Sequence, residues 1–238
     1  TNSRALEKMG GAVLGHQWEP RSDTFSFHPR IFLGKKGKSG THTGPELTPS
    51  NLTLNESFPW TKALVLSTVA SLFDPSGIVA PAVVKLRLFM REVCMLEKVK
   101  WSDPLPEPLM LKWRKLVEEL VLSEAVVVSR GVRPPGAVGK PFLAVFTDGS
   151  LVAFGAVIYI IYRIATPSPG PWASDLDTRV TFSASLFLAK GRVAPLAGLT
   201  APRSEMNSLI CGAKLLDLAL RSLPEKPEQV TICLDSEC

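Results

Sequence analysis

Apolar positions along the 238-residue chain follow a strand-like rhythm at first, a helical one through the middle, and a strand-like one again toward the end. Residues 12–18 and 24–32 are β-prone runs joined by Glu19-Pro20-Arg21-Ser22-Asp23, and the turn-forming joint predicts a hairpin. Residues 34–51, rich in Gly, Lys, Thr and Pro, read as an exposed loop. Helices are predicted over 61–73, 80–98 and 106–122. The first stops at the turn signal Asp74-Pro75-Ser76-Gly77, and the second opens on Pro81, whose missing N–H costs nothing in a first turn. Val84, Leu88, Met95 and Leu96 can share a face of the second helix. In the third, Leu109, Trp113, Leu116, Val117 and Leu120 recur at helical spacing, and these stripes predict core.

Residues 132–140, with Pro134-Pro135-Gly136, read as a linker. Beyond it strands are predicted at 142–146, 152–162 and 179–188. A helix follows at 202–223, with Met206, Leu209, Ile210, Ala213, Leu216 and Leu220 on one side, and a last strand at 230–234. The fold class is therefore mixed α/β: a helical region, then a β-β-β-α-β mixed sheet with one helix packed on it.

Composition narrows the function classes only a little. Lys and Arg outnumber Asp and Glu by 27 to 22, a net charge of +5 that permits a polyanionic partner without demanding one. Cys94, Cys211, Cys233 and Cys238 have no CxxC spacing and His16, His28 and His42 no HxxxH spacing, which argues against zinc and for a reducing compartment. The triplets beginning at Asn51 and Asn55 match the glycosylation pattern, but no signal peptide precedes them. The longest apolar run, 151–161, is too short to span a bilayer. Gly34-Lys35-Lys36-Gly37-Lys38-Ser39 imitates a phosphate-binding loop, yet Phe32 stands where that motif needs its first glycine; the segment reads as a solvated basic loop.

Three acidic residues stand where elements end. Asp148 closes the first strand after the linker, Glu205 lies near the start of the helix, and Asp235 closes the last strand. Neighbouring strands lie about 4.8 Å apart, so carboxylates at adjacent strand ends can converge with one from a crossing helix. Oxygen ligands of that kind suit Mg²⁺, and a pair of such ions can promote in-line phosphodiester displacement. Each residue alone is also what a turn or a helix start favours.

These residues sit in stretches that together resemble the polymerase polyprotein of BEL/Pao-type LTR retrotransposons. The stretches are 14–27 (LGHQWEPRSDTFSF), 66–81 (LSTVASLFDPSGIVAP), 101–106 (WSDPLP) with Trp113, and 146–150 (FTDGS) with Ala153-Phe154-Gly155. The last are 189–196 (AKGRVAPL), 202–205 (PRSE) and 234–236 (LDS); Ser204 stands where such proteins usually carry Leu. The resemblance implies the end of a reverse transcriptase palm over 1–32, an exposed loop over 33–58, a helical thumb and connection region over 59–131, the linker at 132–140, and a C-terminally incomplete ribonuclease H-like domain over 141–238. It also implies that Asp148, Glu205 and Asp235 are catalytic ligands of Mg²⁺ in a two-ion site. The implied partners are an RNA–DNA hybrid or template–primer and the rest of the polyprotein, with no membrane.

The implied activity is Mg²⁺-dependent hydrolysis of the RNA strand of a hybrid. Because the polymerase aspartates and a fourth acid of the nuclease lie outside the sequence, the isolated chain is expected neither to synthesise DNA nor to cut. Two other classes remain: a non-catalytic nucleic-acid-binding module using Lys35, Lys36, Lys38, Lys85, Arg87 and Arg91, and a decayed relic without function.

Overall fold

A computed structural model describes residues 11–13, 16–34, 37, 41–166 and 179–235. Its contacts divide the chain into two compact units, one of Thr1–Pro75 and Pro81–Val128, the other of Ser76–Ala80 and Ser129–Cys238.

The predicted hairpin forms in the first unit. Strands β2 (His16–Glu19) and β3 (Thr24–Phe27) pair antiparallel, Trp18 opposite Phe25. Asp23 takes a left-handed φ of 49° in the turn, a conformation Asp tolerates. Its carboxylate accepts a hydrogen bond from Trp18 Nε1 at 3.1 Å. Strand β1 (Gly11–Val13) and a strand the sequence reading missed, β4 (Val126–Ser129), flank the pair. The β-branched run Val126-Val127-Val128 was the available signal for β4.

Within the segment expected as an exposed loop over 33–58, a few described residues are tied into this unit. Leu47 N donates to Ile31 O at 2.7 Å and Leu33 N to Pro45 O at 2.9 Å, which carries Leu33 and Leu47 into the core. Arg30 Nε donates to both Glu46 oxygens, at 2.9 and 3.0 Å, and holds that carboxyl below the usual carboxylate range. After a 3-10 turn, helix α1 (Thr53–Ser57) places Asn55 inside: it accepts from Trp60 Nε1 at 2.8 Å and donates to Arg114 O at 3.0 Å. An amide so engaged is no glycosylation acceptor.

Helices α2 (Lys62–Ser71), α3 (Ala80–Cys94) and α4 (Glu107–Val121) occupy the predicted positions. The buried stripe of α3 is Val83, Leu86, Phe89 and Val93, one position off the expected face, and Met95 lies beyond the helix end and is exposed. Phe89 decides the rotation by stacking on Trp113 at 5.1 Å, while Trp60 meets Trp113 edge-on at 5.6 Å; both tryptophans are fully buried.

In the second unit β5 (Ala137–Gly149), β6 (Ala153–Thr166) and β7 (Arg179–Val193) form an antiparallel meander, and β8 (Gln229–Leu234) adds parallel to β5, giving the order β7-β6-β5-β8. Strand β5 begins inside the stretch expected as a linker, because Ala137 and Val138 already pair with Ile164 and Arg163. Along β5, Leu143, Val145 and Thr147 alternate inward. The segment Ser76–Ala80 lies against the outer strand, where Ala189 N donates to Ser76 O at 2.8 Å.

Helix α5 (Ala201–Ser222) covers the sheet, but not with the face expected. It buries Ser204, Ser208, Cys211, Gly212, Leu215 and Ala219, while Met206, Ile210 and Leu220 are exposed. Closeness is the reason. A Cβ on Gly212 would lie 2.5 Å from Thr147 Cγ2, so only small side chains fit between helix and strand. Counting apolar residues selects the larger face; the available space selects the smaller one.

Gly212→Val should therefore destabilise the protein by about 1–3 kcal/mol through overpacking. Ile210→Ser should change stability by less than about 0.5 kcal/mol. Denaturant melts of the two variants would show the reverse order if α5 buried its other side.

Candidate metal-binding carboxylate site

Sheet register creates the site. β5 and β8 run parallel with Thr147 opposite Leu234, so the next residue on each strand, Asp148 and Asp235, emerges side by side. Glu205 comes from α5. It is the fifth helical residue, one position later than the predicted helix start would make it and just past the first turn. Oxygens of Asp148, Glu205 and Asp235 all lie within 4.8 Å of one another. Asp148 and Asp235 are exposed and Glu205 is half-buried.

Like charges this close repel. At about 4 Å each pair costs about 1 kcal/mol in bulk water and about 4 kcal/mol near a protein surface. Among the described residues, the ion pairs Arg133–Glu225, Arg163–Glu228 and Arg221–Asp217 involve no member of the cluster. Among the described residues, Glu205 Oε2 is buried and has no hydrogen-bond partner. An all-oxygen donor set with a buried, unpartnered carboxylate oxygen fits a hard divalent cation.

Other candidates fare differently. Lys85 Nζ stands on the exposed face of α3, paired with Glu119 at 2.5 Å. Arg87 and Arg91 are half-buried on α3; Lys35, Lys36 and Lys38 lie outside the described residues. Burial pushes the Cys211 thiol up, against the pull of Arg192, Lys190 and Lys214, which makes it a poor nucleophile. Sequence reasoning missed Gly149, where a Cβ would lie 2.5 Å from Ser204 O and 2.9 Å from Glu205 N. That contact presses the end of β5 directly onto the α5 backbone, and no periodicity announces it.

A three-stranded antiparallel meander, a covering helix, a parallel fourth strand and a carboxylate cluster at their junction define a ribonuclease H-like domain. The family model for the Pao retrotransposon-like RNaseH-like domain matches residues 61–236, and the chain belongs to that family. No curated protein matches it significantly. Ribonuclease H-like domains in general use a divalent metal, and no described helix is long and apolar enough to cross a membrane.

Asp148→Asn and Asp235→Asn should each raise the melting temperature in EDTA, since each removes repulsion. At about 1 kcal/mol the shift would be about 2–4 °C for a chain of this size. Millimolar Mg²⁺ should stabilise the wild type and not these variants. Equal melting of all three proteins in both conditions would show that the carboxylates neither repel nor bind.

Proposed function

We propose that the second unit is a ribonuclease H module in which Asp148, Glu205 and Asp235 hold Mg²⁺ and direct hydrolysis of the RNA strand of an RNA–DNA hybrid. The observation that carries this reading is the convergence of the three carboxylates, one oxygen of each lying within 4.8 Å of the others. Bound divalent ions would supply charge neutralisation and water activation for phosphodiester displacement. The chain's own part is positional. Asp148 and Asp235 present oxygens from two fixed strand ends, and Glu205 closes the third side from a helix that cannot recede without breaking backbone contact. Recognition of the hybrid through backbone and 2′-OH contacts needs no base-specific side chains. The first unit is proposed to derive from the palm, thumb and connection of the adjoining reverse transcriptase and to help hold template–primer.

Affinity for a labelled hybrid separates this reading from a binding module. The wild-type chain should bind several-fold more tightly with Mg²⁺ than with EDTA, and Asp148→Asn should abolish the difference. Salt-sensitive binding indifferent to both metal and Asp148 would favour a non-catalytic module instead. Mg²⁺-dependent cleavage of the RNA strand that is lost in Asp148→Asn would establish the nuclease directly.

A further inference from the structure

Among the described residues no hydrogen bond or ion pair holds the three carboxylates in place, and Glu205 Oε2 is buried without a partner. Something else must fix the distance between Glu205 and Asp148. Next to Glu205, Ser204 is fully buried, and its hydroxyl donates to the carbonyl of Ser150 at 2.5 Å. Ser150 lies two residues past Asp148. Its own geometry is fixed: its N donates to Ala153 O at 2.8 Å, and its Oγ accepts from Ala153 N at 3.1 Å. The Ser204 side chain therefore ties the helix to a turn that cannot move independently of Asp148. Ser204 N continues the α-helical ladder to Thr200 O at 2.9 Å, so the tie restrains the helical backbone and not merely a rotamer.

Gly149 supplies the complementary constraint. The space where its Cβ would stand is taken by Ser204 O at 2.5 Å, Ser204 C at 2.6 Å and Glu205 N at 2.9 Å. Any side chain there would push α5 away from β5 and carry Glu205 with it. The hydrogen bond draws the helix in, and the absent Cβ lets it arrive.

From this geometry we infer that Ser204 and Gly149 are positioning residues for a divalent cation, setting the Asp148–Glu205 spacing through the Ser204–Ser150 hydrogen bond and the Gly149–Ser204 backbone contact. The inference rests on the metal-site reading above and adds to it two residues that touch no ligand. A buried hydroxyl in this place does what an outer-shell hydrogen bond does around other metal sites: it spares the ligand from having to find its own orientation.

Mn²⁺ titration of the purified 238-residue chain, followed by the electron paramagnetic resonance of free Mn²⁺, tests this without requiring catalysis. Circular dichroism melts alongside establish that each variant is folded. Ser204→Ala should weaken Mn²⁺ binding about tenfold, the low end for loss of an outer-shell partner. Gly149→Ala should weaken it as well. Ser208→Ala is the control: Ser208 is equally buried on the same helix, but its hydroxyl bonds only within the helix, to Glu205 O at 2.7 Å, so its loss should leave the affinity unchanged. If folded Ser204→Ala binds Mn²⁺ like the wild type, or Ser208→Ala loses as much, the positioning role is overturned and the metal site stands. If the wild type binds no better than Asp148→Asn, the metal site itself falls, and this inference with it.

Discussion

The parallel pairing of β8 with β5 is the constraint on which the second unit depends. With Thr147 opposite Leu234, two carboxylates must leave the sheet together at 148 and 235. A one-residue slip of β8 would turn Asp235 to the other face and break the cluster. The register is anchored by Val230, which stands opposite Leu143 and packs against the core of the unit. The same packing that builds the core thus brings three like charges within 4.8 Å, an arrangement that costs stability unless a cation compensates it.

Most of the element order was legible because helical and strand periodicities differ and because Pro, Gly and Asp punctuate their junctions. The three acids were legible for the same reason: each stands at an element end, and strand ends in one sheet can meet. What periodicity could not supply was rotation and distance. On α3 the apolar residues are wide enough to support two faces, and the Phe89–Trp113 stack, a contact distant in sequence, chooses between them. On α5 the preference for large apolar residues pointed to Met206 and Ile210, whereas the sheet is so close that Ser204, Ser208 and Gly212 are what fit. Gly149 and Ser204 escaped notice because neither residue type is conspicuous; their meaning lies in a contact between backbones.

The basic residues near the start illustrate the opposite limit. Lys85 pairs on the surface with Glu119 of α4, a partner that its own segment does not announce. Segment 33–58 looked like solvent-exposed loop by composition, yet two backbone hydrogen bonds and the Arg30–Glu46 pair accompany the burial of Leu33 and Leu47. Local composition describes what a segment could do alone, and long-range partners decide what it does. The family match over residues 61–236 includes all three carboxylates.

The central claim is that Asp148, Glu205 and Asp235 form one divalent-cation site. Anomalous diffraction from a crystal of the chain soaked in Mn²⁺ tests it most directly. A peak bonded to oxygens of all three side chains is the predicted result. Carboxylates that stand apart in a Mn²⁺-soaked crystal, with no peak between them, would contradict the account.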